Sequence, residues 1–233
     1  MSFILNIETS TEVCSIALSQ NGRLVDIFED VEGMNHARLT ASYVQEILKC
    51  NNLKISELSA ISVSCGPGSY TGLRIGISLA KGLCYAHDLP LIAVSPLKAM
   101  SSWVARNLDR AGIHTSENVV LCPMLDARRM EVYTALYDIN LTEIERVSAK
   151  IINKDTFNEI TGKQLVLFGS GAEKVKAVLN RDNIHFIPDV KTSASHMCAL
   201  SFNMLGEEIF EDIAYFEPYY LKDFIAGKPK KKF

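Results

Sequence analysis

Residues Ser59 to Ala86, SAISVSCGPGSYTGLRIGISLAKGLCYA, hold a strand, a glycine turn and a long helix in one run. Ala60 to Cys65 is apolar and β-branched over the length of a strand. Gly66-Pro67-Gly68 ends it, because two glycines and a proline adopt backbone angles that neither strand nor helix holds. Ser69 or Thr71 offers a side-chain oxygen to an unpaired N–H of the first helical turn. The helix is expected to run to about His87, with Pro90 just beyond. At about 100° per residue, Leu73, Ile77, Ala80 and Cys84 share one side, and Ile75, Leu79, Leu83 and Ala86 the nearly opposite side. Arg74, Ser78, Lys81 and Tyr85 form the polar stripe. A surface helix normally carries one apolar stripe. This one carries two, which fits either burial inside a large sheet protein or packing on a sheet and on a partner. Which row meets the sheet is open. Gly72, Gly76 and Gly82 each cost roughly 1 kcal/mol against alanine in a helix, and small residues let another backbone come close.

Upstream, Phe3 to Ile7 and Val13 to Ser19 read as strands joined by the polar turn Glu8 to Glu12. Gln20-Asn21-Gly22 is a hairpin turn, since Asn-Gly suits positive φ, and Leu24 to Glu29 completes an antiparallel meander. A helix from about Asn35 to Cys50 again shows two apolar sectors. Ala37, Ala41, Val44 and Leu48 form one; Leu39, Tyr43, Ile47 and Cys50 form the next. Arg38, Ser42, Gln45, Glu46 and Lys49 make the wet face. Two successive helices with surplus apolar surface point to a partner.

Downstream, Leu91 to Val94 is a strand, and Ser95-Pro96 starts a helix through about Asn107. Strands are expected over Val119 to Leu125, Glu131 to Asp138 and Ile144 to Ile152, then a short helix over Asp155 to Ile160. Leu165 to Phe168, Gly169-Ser170-Gly171 and Ala172 to Leu179 repeat the strand–glycine–helix pattern. Ile184 to Ile187 is a strand, and a helix runs from about Ala194 to Phe210. The repeated order predicts two related lobes of α/β class with mixed sheets flanked by helices. Residues 1–108 are the first lobe and 109–191 the smaller second, joined at the polar run Asp109 to Asn118. A helix over 192–213 packs between them, and 214–233 is a tail ending in KPKKKF, read as a solvated basic tip. The arrangement resembles the actin, sugar kinase and Hsp70 (ASKHA) superfamily.

With 233 residues, 48% hydrophobic, 22% charged and a net charge of −3, the chain is not a generally basic nucleic-acid binder. Its six cysteines form no CxxC pair and read as reduced core thiols. No stretch reaches transmembrane length. No two of the five histidines lie three or four apart, so no helical pair can grip a metal. GPGSYTG lies between strand and helix, where N–H groups can hold an anion, yet no lysine follows to neutralise β/γ-phosphates. Glu8, Thr9 and Ser10 occupy the first hairpin, and Gly169 and Gly171 the second glycine turn; these five are the candidate nucleotide or anion contacts. Thr9 and Ser10 leave the hairpin without a glycine through which backbone could approach a phosphate. No GxSxG elbow is present.

ILNIETSTEVCSIAL, CGPGSYTGLRIGISLAKGL, SPLKAM, LDARRMEVYTALY and the closing PYYL resemble the TsaB (YeaZ) family. Glu8 stands where that family usually has Asp. The resemblance implies an actin-like fold that has lost catalysis and takes no cofactor, with at most weak nucleotide binding. It implies a cytoplasmic protein, not a membrane one, that partners a larger TsaD-like catalytic subunit. With a TsaE-like ATPase, and threonylcarbamoyl-adenylate made by TsaC, that subunit modifies the adenosine next to the anticodon of ANN-decoding tRNAs. This chain would meet tRNA through the complex and could pair with itself when alone. The family's pairing surface uses the first two helices of the N-terminal lobe, which carry the surplus apolar rows. The expected interface is therefore Leu39, Tyr43 and Ile47 with Leu73, Ile77 and Ala80 or the opposite row, rimmed by Arg74 and Lys81. The rival readings are an actin-fold, ATP-dependent small-molecule kinase and a peptidase.

Overall fold

The computed structural model describes residues 1–33, 35–108, 113 and 118–222. The antiparallel meander is present as β1 (Phe3–Glu8), β2 (Cys14–Gln20) and β3 (Arg23–Asp30). β4 (Ala60–Ser64) pairs parallel with β1, and β5 (Leu91–Val94) parallel with β4, giving the order β3-β2-β1-β4-β5. The second sheet is built from β6 (Val119–Asp126), β7 (Glu131–Tyr137), β8 (Glu143–Ile151), β9 (Gln164–Phe168) and β10 (Ile184–Ile187). Its order is β10-β9-β6-β7-β8, with β6, β7 and β8 antiparallel and β9 and β10 parallel to β6. Counted from β8, this is the first sheet again, strand for strand and direction for direction.

Both faces of the first sheet are covered, so β1 is buried from Ile4 through Glu8 rather than alternating. On one face α1 (His36–Cys50) and α2 (Tyr70–His87) lay Val44, Ile47, Leu73, Ile77 and Ala80 on Leu5, Ile7, Ile16 and Leu18. The other face carries Ile4, Ala60 and Ile92 under Ala99 of α3 (Pro96–Ala105) and Met197. A polar cluster sits there too: Ser201 Oγ lies 2.8 Å from both Asn6 Oδ1 and Ser62 Oγ. Burial raises the value of such a bond, because an unpaired partner would be cut off from water. α3 also sends Leu97, Met100 and Val104 into the core of the second sheet, against Val119, Leu121 and Leu125.

Three expected helices differ. Asp155 to Ile160 is a series of turns, because Phe157 takes a positive φ of 67° and is buried in the core. Asn153 and Thr156 side chains hold those turns by bonding backbone N–H groups. The helix after Gly171 is only α4 (Ala172–Val175), with turns carrying the chain on to Leu179. The helix expected over 194–210 is a 3-10 turn, Ala194–Met197, followed by α5 (Cys198–Gly206). α5 lies on the first sheet, and the preceding turn reaches α3, where His196 and Trp103 rings sit 5.2 Å apart. The polar boundary falls mostly, and the KPKKKF tip wholly, outside the described residues.

Candidate functional site

Ser69 caps α2, its hydroxyl accepting from the Gly72 N–H at 3.2 Å. The space in front of that helix start is filled by the chain's own hairpin. The Ser69 N–H donates to the Ser10 carbonyl at 2.6 Å, and Thr9 Oγ1 donates to the Gly72 carbonyl at 2.9 Å. A Cβ on Gly68 would stand 2.2 Å from the Ser10 carbonyl oxygen, and one on Gly72 2.1 Å from that of Thr9. One on Gly76 would stand 2.3 Å from Thr9 Oγ1. The glycines therefore seat the hairpin, not a phosphate. Glu8, Thr9 and Ser10 are fully buried beneath it, which removes them from any surface an anion could reach. Glu8 Oε1 accepts from the Ser10 N–H at 2.6 Å, and burial raises the pKa of its carboxyl.

The second glycine turn is also a packing device. Gly169 has φ +99°, and a Cβ there would meet the Met124 carbonyl oxygen at 2.4 Å; one on Gly171 would meet Val132 at 2.9 Å. Gly169 does line a cleft of about 300 Å³, together with Thr11, Glu12, Glu173, Asp189 and Lys191. Three carboxylates there against one ammonium disfavour a polyanion. Among the described residues no group of three or more His, Cys, Asp or Glu is placed to hold a metal. His36 bonds through Nε2 to the Val13 carbonyl. Burial pushes the Cys65, Cys84 and Cys122 thiols up to about 12, so they stay protonated.

The helical faces resolve the open choice on α2. Leu73, Ile77 and Ala80 point into the sheet and are at most 3% exposed, and Ile47 of α1 is wholly buried. These four, expected at a partner interface, are core residues, because each lies on the helical phase that the sheet occupies. The outward row is the opposite one: Ile75, Leu79 and Leu83 half-buried, Ala86 exposed. Gly82 belongs to this side, and a Cβ there would meet nothing. Leu39 and Tyr43 remain half-buried on α1, with Tyr43 stacked against Phe28 at 5.6 Å. Arg74 and Lys81 are occupied by the chain itself. Lys81 Nζ donates to the carbonyls of Phe216 (2.9 Å) and Ala214 (3.4 Å), and Arg74 Nε donates to Tyr220 Oη (3.1 Å). The Tyr219 N–H reaches the Cys65 carbonyl and that of Glu211 reaches Leu91. Residues 211–222 thus form a strap along one flank of α2. The only advance sign of it was the PYYL run.

A family model described as TsaD, tRNA N6-adenosine threonylcarbamoyltransferase, matches residues 30–227. The tRNA threonylcarbamoyladenosine biosynthesis protein TsaB of Escherichia coli K12 is 30% identical to this chain over 97% of it and 96% of its own length. The chain belongs to the TsaB (YeaZ) family. TsaB of Haemophilus influenzae is 37% identical over 56% of this chain and 51% of its own. YeaZ from Pseudomonas aeruginosa superposes with a TM-score of 0.77 at 24% identity, covering 95% of this chain and all of that one. That likeness shows a shared α/β fold, two mixed sheets flanked by helices. Among the described residues no helix is long and apolar enough to cross a membrane.

Proposed function

We propose that this chain works in tRNA threonylcarbamoyladenosine biosynthesis as a non-catalytic subunit that binds a TsaD-like transferase. One observation carries this: the chain builds two long helices on its first sheet and leaves their outer apolar rows only half-buried, beside a glycine whose added Cβ would meet nothing among the described residues. Gly82 costs helix stability without relieving any internal crowding, so its use lies in an external contact. The pairing surface is then Leu39 and Tyr43 on α1 with Ile75, Leu79, Leu83 and Gly82 on α2. Charged neighbours such as Arg38 and Glu46 lie at its rim and tune encounter more than affinity.

In the assembly, pairing holds the transferase in a form that accepts tRNA and threonylcarbamoyl-adenylate. A TsaE-like ATPase joins the larger complex, and the adenosine beside the anticodon of ANN-decoding tRNAs is the target. Without its partner the same face closes on a second copy of this chain. The place of action is the cytoplasm. The domain limits that fit this role are 1–108 for the partner-binding lobe and 109–191 for the second. The hairpin packed into the glycine turn supports this reading over the actin-fold kinase.

The test is coexpression with the TsaD-like transferase and native mass spectrometry, with Leu79→Glu as the variant. Wild type should leave the column as a complex and the variant as a folded, separate chain. Equal pairing by both would overturn the surface, and ATP bound tightly to a partnerless wild-type chain would restore the kinase.

A further inference from the structure

The run Ile209 to Tyr219, IFEDIAYFEPY, carries no helix or strand of its own, yet it is rich in large apolar side chains. Some of these fasten it. Ile213 and Phe216, with Tyr220 just after them, pack against the core that α2 lays on the first sheet. The backbone is held as well. The Glu211 N–H donates to the Leu91 carbonyl, the Tyr219 N–H to the Cys65 carbonyl, and Lys81 to the carbonyls on either side of Tyr215. The remaining large side chains take no part in this. Ile209, Phe210, Tyr215 and Tyr219 are exposed, Tyr215 by 85%. Among the described residues twelve large apolar side chains are exposed, and these four fall within eleven positions. Scattered exposure is ordinary, whereas a gathered patch marks a contact surface.

Tyr85 of α2 extends the patch. It is 84% exposed and stands one turn beyond Lys81, the residue that holds the strap at 214 and 216. The charge around these rings has one sign. Residues 207–221 contain Glu207, Glu208, Glu211, Asp212 and Glu217 and no lysine or arginine. Glu217 shares a cleft of about 240 Å³ with Arg74, and no ion pair joins the other four to a cation among the described residues. Asp212 Oδ1 also accepts from the Ala214 and Tyr215 N–H groups, at 2.8 and 3.3 Å, which fixes the turn that presents Tyr215. Carboxylates in this number repel a nucleic-acid backbone and attract cationic side chains, and guanidinium groups also stack on tyrosine faces. Because the backbone bonds hold the segment in place beforehand, ordering it costs a partner little.

We infer that the tyrosine-and-carboxylate face of the strap, with Tyr85, receives an arginine-bearing basic surface of the TsaD-like transferase. This rests on the pairing proposed above and extends it to a second surface. The strap runs along the flank of α2, so one partner face covers both. The apolar rows of α1 and α2 bury the centre, and the strap selects for charge at the edge. Its rings anchor the contact, while its carboxylates speed encounter and reject partners of the wrong sign.

The test is titration calorimetry of the full chain with the transferase at about 0.05 and 0.3 M salt. Tyr85→Ser combined with Tyr215→Ser should weaken pairing by about 10- to 100-fold. It should melt as wild type does, since both rings are exposed. Tyr85→Phe with Tyr215→Phe keeps the ring faces and should pair within about 2-fold of wild type. Glu207→Gln with Glu208→Gln should cost about 3- to 10-fold at the lower salt and little at the higher. Wild-type pairing by the serine variant would overturn the inference, and so would a phenylalanine variant as weak as the serine one. If Leu79→Glu still abolished pairing in the first case, the pairing proposal would stand without the strap. A wild-type chain that never pairs would sink both. A serine variant that pairs normally but loses a homodimer, or loses binding to tRNA, would give the face to a second copy or to RNA and overturn the inference as well.

Discussion

The two sheets repeat one strand order, but they do not repeat their helices. In the first, the crossovers on either side of β4 are α1, of 15 residues, and α2, of 18. In the second, the matching crossovers are the turns around Phe157 and the four-residue α4 with its trailing turns. Parallel strands need a crossover long enough to return and cover the sheet. Phe157, Val175 and Leu179 do this for the second sheet from short, irregular segments. The first sheet therefore has more helix than covering requires, and the excess is the outward side of α1 and α2. Where a unit is used twice, the copy that exceeds its packing needs marks where another molecule is expected.

The comparison breaks most readily at the glycines. Gly72→Ala puts a methyl group against the Thr9 carbonyl, and backbone on both sides cannot yield cheaply. It should cost about 3 kcal/mol or more, seen as a lower urea midpoint. A variant as stable as wild type would mean that the hairpin is not seated as described. Next, Leu79→Glu should weaken transferase pairing by about 100-fold, or about 2.7 kcal/mol, beyond the modest drop in melting that comes from losing its contact with the core. The control in the other half is Lys176→Glu, on the exposed turn after α4. If titration calorimetry gave both charges the same loss, the asymmetry of the halves would have no bearing on pairing.

Glu8→Gln sharpens the account of the filled turn. The folded-state pKa of Glu8 is raised, chiefly by burial. Its contribution to stability is therefore complete below the unfolded value and is lost as pH rises through the folded one. Gln keeps an acceptor for the Ser10 N–H and never ionises. The variant should gain on wild type as pH rises above about 4.5, and parallel melting curves at pH 5 and pH 8 would refute this. The smallest effect is Gly82→Ala, which should stabilise the isolated chain by up to about 1 kcal/mol. If the partner's backbone comes close there, the same change weakens pairing, so gain in one assay with loss in the other is the expected result.

Much of the fold was legible because its signals are local. β-branched runs, Asn21-Gly22 and the Ser69 and Ser95 caps need only near neighbours, and they give the strands and helix starts where expected. The facing of α2 was not legible, since its two apolar rows differ little in composition and only the sheet distinguishes them. The same holds for Ile47, whose sector also contains half-buried Tyr43. The turns at Asp155 to Ile160 were missed because Phe157 is drawn into a core formed by residues far away in sequence. Glu8, Thr9 and Ser10 were legible as a special hairpin, but what fills the glycine turn depends on contacts about 60 residues apart. The strap was hidden for the same reason.

Those long-range contacts also bear on how the chain is made. Ser201 bonds Asn6 across 195 residues, and Lys81 bonds Phe216 across 135. On the ribosome, β1 to β5 emerge well before α5 and the strap exist. The first-made sheet must therefore wait, with part of one apolar face bare and one flank of α2 open, until residues 197–222 have been made. Closing such large loops is entropically costly and slow, and bare sheet faces in waiting chains are prone to aggregate. A frameshift or proteolytic cut that removes residues 201–222 would reopen the sheet that was made first.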